Sequence, residues 1–153
     1  MKVKIHRIKE RKEEQVIIEC VEITQEIKDI YSYALAKGTE LFGMEEGIFR
    51  RFRLDEVCYF EALETRVFAY TRDHVYEVKE KLYQVEEAYE KHHFIRCSKS
   101  VVMNLLQLEG ISPALNGRFF AHMKNGERLI ISRQYVPRLK EIIMGENSMG
   151  KEK

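Results

Sequence analysis

Apolar and polar positions alternate along most of the 153-residue chain, and the period of the alternation changes at recognisable points. β-branched residues dominate at Val3, Ile5 and residues 15–21, with the charged stretch 9–14 between them, a pattern that predicts two strands joined by a turn. Ile23, Ile27, Ile30, Tyr31, Ala34 and Leu35 then recur at helical spacing, with Gly38 as the stop. From Gly47 the chain becomes β-rich, and strands are expected over residues 48–54, 57–63, 66–71 and 75–78. The last of these follows the turn-forming Arg72, Asp73 and His74, so the four read as a meander. A helix comes next, with Val78, Leu82, Val85 and Tyr89 on one stripe and Lys79, Glu80, Glu86, Glu87 and Glu90 facing water.

Residues 94–97 read as a strand, residues 101–106 as a short turn or helix, and residues 108–112 as a further strand. Asn116-Gly117 and Asn125-Gly126 bracket residues 118–124, and Asn-Gly suits a type I′ turn because both central positions need positive φ. Three antiparallel strands are expected there. The last helix is placed to begin near residues 135–137, where Pro137 needs no N–H, to bury Leu139, Ile142 and Ile143, and to end at Gly145. The expected fold is mainly β (α+β), an elongated body of short antiparallel β-sheets with two or three short helices. That body spans residues 46–145, after a β-β-α extension over residues 1–45 joined at residues 39–46, and before a polar tail at residues 146–153 with no reason to order.

Composition narrows the class. With 44% hydrophobic and 33% charged residues the chain has material for one packed core. No run approaches the roughly 18 apolar residues of a membrane span, and residues 1–14 lack the apolar centre of a signal peptide, so the cytoplasm is the expected location. Cys20, Cys58 and Cys97 have neither disulfide-framework nor zinc-knuckle spacing. His92, His93 and Cys97 are three ligand types close together, but no fourth is evident and adjacent residues on an extended segment point to opposite sides. No metal or cofactor is expected. Neither is enzymatic activity, since the chain has no nucleophile elbow and no P-loop, and Asp55, Glu56, Glu61 and Glu64 read as exposed strand ends.

Net charge is only +1, yet it is unevenly spread. Residues 1–45 hold 8 basic and 9 acidic groups, residues 46–93 hold 8 and 11, and residues 94–153 hold 10 and 5. Such clustering makes a local field attractive to phosphate in an almost neutral molecule.

The basic region contains FIRCSKSVVMN at residues 94–104 and ISRQYV at residues 131–136. With Tyr59-Phe60-Glu61 and the Asn125-Gly126 hairpin, in this order, these segments resemble the LytTR-type DNA-binding domain of bacterial transcriptional regulators, over roughly residues 46–145. The resemblance implies that double-stranded DNA is read in its major grooves by loops at strand ends. It places base contacts at Lys99, just before Ser100, at Arg133, just after Ser132, and at about Thr65 or Arg66. Arg66 is favoured on chemistry, because the arginine fork donates twice to guanine O6 and N7. Ser98, Ser100 and Ser132 would contact phosphate or cap turns, and Arg118 and Lys124 are surface charges that can steer phosphate. Two copies on tandem direct repeats, with some bending, are implied as well, hence a possible homodimer. A doubly wound receiver domain does not fit in the extension, so the expectation is a response regulator-like chain for which control by phosphorylation is unsupported.

Plainer roles stand beside these. Lys99 without the motif is a surface lysine, and Asn104 suits a turn-backbone hydrogen bond. Arg133 at a helix start opposes the helix dipole, which favours an anion beside it. One alternative is a single-stranded nucleic-acid-binding sheet with Tyr59, Phe60, Phe68, Tyr70, Phe119 and Phe120 as stacking platforms. Another is a sensor or protein-interaction module in which Arg133 forms a salt bridge. The apolar helix face of residues 23–35 is expected to pack on the body or pair with a second copy.

Overall fold

A computed structural model describes residues 1–37 and 39–151. Helix α1 (Gln25–Lys37) precedes strands β1 (Glu40–Glu45), β2 (Ile48–Arg53), β3 (Tyr59–Leu63), β4 (Arg66–Tyr70) and β5 (Val75–Val78). After α2 (Leu82–Tyr89) come β6 (Phe94–Ser98), β7 (Val101–Asn104), β8 (Leu108–Pro113), β9 (Phe119–Met123), β10 (Arg128–Ile131) and α3 (Val136–Lys151). They form a seven-stranded antiparallel sheet ordered β2-β1-β5-β4-β3-β7-β6 and a three-stranded one ordered β10-β9-β8. The mainly β architecture and the β3-β4-β5 meander are those the periodicity predicts, but β2, expected to begin the meander, pairs instead with β1 at the sheet edge and does not neighbour β3.

Alternation along the strands separates two cores. Phe60, Phe94 and Val102 point toward Leu82 and Val85 of α2, while Tyr59, Ile95, Cys97, Val101 and Met103 pack with Ala121, Met123, Leu129 and Ile131 of the smaller sheet and Val136 and Leu139 of α3. Side chains at i and i+1 therefore enter different cores, and β7 is buried on both faces.

Several expectations are corrected. The two strands expected before α1 do not form: residues 1–24 contain one 3-10 turn, Arg11–Glu13, between extended arms. A two-stranded hairpin is marginal in water without a third strand or a covering layer, and Val3, Ile5, Val16 and Ile17 are all exposed. Helix α1 rests on the 3-10 turns Leu54–Glu56 and Glu90–His92, with Ile27, Ile30 and Ala34 half-buried and Ile23, Tyr31 and Leu35 exposed. The helix stop expected at Gly38 lies outside the described residues. Residues 101–106 are strand β7 followed by a 3-10 turn, Leu105–Gln107, because cover on both faces overrides a local pattern that resembles a turn. Asn116 (φ 61°) and Gly117 (φ 75°) both take positive φ, whereas at the next Asn-Gly only Gly126 (φ 91°) does. There the Asn125 side-chain oxygen accepts a hydrogen bond from the Glu127 N–H, 3.0 Å, in a longer loop. Gly145 (φ 76°) breaks α3 as expected, but helical backbone resumes to Lys151 where an unordered tail was anticipated.

The expected joint at residues 39–46 is largely β1, paired with β2 along its whole length and with β5 at Met44. Gly43 reads in the sequence as a linker residue, yet it is buried where β1 crosses closest to β5. A Cβ on it would stand 2.6 Å from Tyr76 Cβ and 3.0 Å from the Phe52 ring, and these two rings stack with centroids 4.2 Å apart. Gly43→Ala is therefore expected to destabilise the chain by about 1–3 kcal/mol through overpacking, measured as a lower urea midpoint at unchanged slope.

Candidate nucleic-acid interface

Three of the loops singled out in the sequence lie at one end of the larger sheet. In the β6-β7 hairpin Ser98 pairs with Val101, leaving Lys99 and Ser100 as a two-residue tip. The Ala62 N–H donates to the Ser100 carbonyl at 2.8 Å, so the tip borders the end of β3. There the β3-β4 turn reverses the chain through Glu64 (φ 59°) and Thr65, and Arg66 pairs with Leu63. Two strand spacings, about 10 Å, separate Arg66 from Lys99 across β3. Both side chains are exposed, and the only ion pair Arg66 makes among the described residues is a loose one with Glu77 at 3.8 Å, worth little at the surface.

A β-bulge brings Arg133 to the same end. The β6-β7 register shifts between Arg96 and Ser98, which takes Cys97 out of the ladder. Its carbonyl accepts instead from the Ser132 N–H at 2.9 Å, at the point where β10 hands over to a 3-10 turn, Arg133–Tyr135, and then to α3. The Arg133 stem passes over the Asn116-Gly117 turn, where a Cβ on Gly117 would lie 3.0 Å from Arg133 Cδ. Arg118 follows that turn and donates from Nε to the Leu115 carbonyl at 3.1 Å, so it is a fourth cation at this end.

Arg96 holds the cluster together, a role its place in the motif did not disclose. Its side chain is 17% exposed; Nη1 donates to the Lys99 carbonyl at 2.7 Å, while Nε and Nη2 donate to Glu86 Oε1 on α2 at 3.2 and 3.1 Å. Arg96 lies on the same strand face as Phe94, beneath α2, and an arginine at such a position needs paired acceptors. That inward alternation is the signal in the sequence that could have marked it.

The serines divide by role. Ser98 Oγ accepts from the Ser100 N–H at 3.3 Å and so closes the tip, and Ser132 makes no side-chain cap although it occupies the N-cap position. Asn104 is structural: buried, it donates to the Val57 carbonyl at 2.9 Å and accepts from the Leu106 N–H at 3.0 Å. Lys124 is not brought to the cluster. It lies at the other end of the β9-β10 hairpin, with the four residues of β10, about 13 Å of extended chain, between that turn and Ser132.

Five of the six aromatic residues of the single-strand alternative are occupied, and the sixth, Phe68, is half-buried. Tyr59 and Phe60 are buried, Tyr59 stacks on Tyr70 with centroids 4.5 Å apart, Arg128 covers Phe120 at 4.2 Å, and Lys140 covers Phe119 at 4.7 Å. Burial pushes the Cys97 thiol up to about 12, which disfavours the thiolate a metal ion would need, while it lowers His92 and His93 and so keeps both imidazoles neutral. Among the described residues no group of three His, Cys, Asp or Glu is placed to hold a metal ion, and no helix is long and apolar enough to cross a membrane.

Comparison with known proteins bears on the family and the fold. The family model described as the LytTr DNA-binding domain matches residues 49–144. An uncharacterised HTH-type transcriptional regulator of Staphylococcus aureus is 29% identical over 107 residues, spanning 70% of this chain and 72% of that protein. The sensory transduction protein LytT of Bacillus subtilis is 30% identical over 88 residues, spanning 58% of this chain and 36% of LytT. Among solved structures, the LytTr DNA-binding domain of a protein assigned as a methyl-accepting/DNA response regulator of Bacillus cereus matches with a TM-score of 0.65. It covers 69% of this chain and 96% of that one at 23% identity, which makes the likeness one of fold.

Replacing Arg96 by Gln removes the charged donors that tie the Lys99 carbonyl to Glu86. The expected cost is about 2 kcal/mol in urea unfolding, together with faster amide hydrogen exchange confined to residues 99–101 in the folded state.

Proposed function

The chain belongs to the LytTR family of DNA-binding domains, and from that premise we propose that it is a transcriptional regulator that reads double-stranded DNA with side chains on turns. The observation that supports this most is the convergence of Lys99, Arg133 and Arg66 at one sheet end. None of the three belongs to an α-helix, and Lys99 and Ser132, the residue just before Arg133, are tied to β6 by hydrogen bonds. Lys99 and Arg133 enter major grooves and contact base edges, and Arg66 supplies a third contact on the flank. Ser98, Ser100 and Ser132 lie beside them and contact phosphate, which positions the domain without adding sequence information. Arg118 is better placed than Lys124 for a phosphate contact near the reading turns, so Lys124 belongs to a flanking contact on bent DNA.

Two copies bind tandem direct repeats, each using the same sheet end. The stacked and cation-covered aromatic rings count against a single-stranded target, because a stacking platform needs free ring faces. For the protein-interaction alternative, Arg133 would need a carboxylate partner.

Selection from a random duplex pool is expected to enrich a tandem repeat, and single-stranded probes are expected to compete poorly against it. Arg133→Ala should cost about 1–3 kcal/mol of binding to that site and flatten the preference at one base position, as read by fluorescence polarisation on single-base variants. With about five phosphates neutralised, affinity should fall on the order of several hundredfold between about 50 and 200 mM salt, and a flat salt titration would count against phosphate-led binding.

A further inference from the structure

The two extended arms before α1 have no assigned role, and their composition is asymmetric. Residues 1–12 contain Lys2, Lys4, Arg7, Lys9, Arg11 and Lys12 against one acid, Glu10, whereas residues 13–24 contain Glu13, Glu14, Glu19 and Glu22 and no base. Val3 (84%), Ile5 (90%), Val16 (70%), Ile17 (70%), Val21 (102%) and Ile23 (71%) stand exposed along them. Neither arm joins a strand of either sheet, and the backbone hydrogen bonds within residues 1–24 are local ones around the turn and at Thr24. An open cleft of about 1160 Å³ is lined by residues of both arms, from Met1 to Glu19.

We propose that these arms form an interface with a second copy of this chain, the basic arm of each copy pairing as a β-strand with the acidic arm of the other. Charge is the first reason. A two-fold interface brings residue i of one copy to residue j of its partner and j to i, so arms of opposite sign within one chain make the shared surface self-complementary. The apolar pattern is the second reason. In the acidic arm Val16 and Ile18 fall on one face of an extended strand and Ile17 on the other, ahead of the bend at Val21 and Glu22. A hairpin closed within one chain satisfies the charges but leaves both of these faces in water, since two strands offer no second layer. Four arms from two copies supply it, and they also pair the open N–H and C=O groups that extended arms otherwise present. The contact lies outside the Lys99, Arg133 and Arg66 cluster, in arms that belong to neither sheet and neither core, so two-fold pairing of the arms does not impose two-fold symmetry on the bodies that read a direct repeat.

The test is the mass of the full chain in solution without DNA, by light scattering across micromolar concentrations. The native chain is expected to have the mass of two copies. Reversing the basic arm (Lys2→Glu, Lys4→Glu, Arg7→Glu) or the acidic arm (Glu13→Lys, Glu19→Lys, Glu22→Lys) should raise the dimer dissociation constant on the order of a hundredfold, and mixing the two variants should restore a two-copy mass. Neither arm contributes to a core, so unfolding midpoints should stay near the native value. A second measurement needs no arm substitution: Cys20 is exposed while Cys58 and Cys97 are buried, so one spin label at Cys20 should show dipolar coupling to its counterpart. A single-copy mass at every concentration, a reversed-arm variant that still dimerises alone, or labels that never couple would overturn the proposal. So would a basic-arm reversal that weakens DNA binding at unchanged mass, because the arm would then be a DNA contact.

Discussion

β7 has an apolar layer on each face, Val102 in the core beneath α2 and Val101 and Met103 in the core shared with the smaller sheet, and none of its four residues is exposed. This two-sided burial holds the larger sheet, the smaller sheet and both packed helices in one arrangement, because no side chain of β7 can move without opening one core or the other. The Lys99-Ser100 tip is the direct extension of that strand. A cationic side chain mounted there inherits a fixed origin, so little backbone entropy remains to be lost when a ligand meets it.

The same end of the molecule is organised by polar bonds that substitute for missing ladder bonds. The bulge at Cys97 frees a carbonyl, and the Ser132 amide takes it, so the irregularity in β6 is what couples the start of α3 to the hairpin tip. Arg96 performs the complementary task from the α2 side by bridging the Lys99 carbonyl to Glu86. A chain with a net charge of +1 thus concentrates cations without a broad basic surface. Their number is small, but their spacing is set by strand geometry and not by flexible tethers, and in direct readout it is position that confers selectivity.

Much of this was legible one element at a time. Period-two alternation marked β2 to β5, the helical stripe marked α2, and Asn-Gly pairs marked the turns of the smaller sheet, because each depends on residues near one another in the chain. Failures came where distant contacts overrode local pattern. Gly43 resembles a linker residue until Tyr76 is found against it, residues 101–104 resemble a turn until two cores close over them, and the N-terminal β-branched runs read as strands although no neighbouring strand is offered to them. Arg96 was visible only as part of a motif, since its partners Glu86 and the Lys99 carbonyl meet it through packing of α2.

By itself, then, the sequence determined the strand and helix segments of the body, the family to which residues 49–144 belong, and the chemical identity of the exposed cations. Tertiary structure decided which of those cations share a surface. Ala62 meeting Ser100 places Arg66 beside Lys99, Ser132 meeting Cys97 adds Arg133, and the length of β10 excludes Lys124. The physical reason is that strand identity follows from side-chain alternation within a few residues, whereas the proximity of turns follows from register and from one bulge, both set by hydrogen bonds between residues 35 to 40 positions apart.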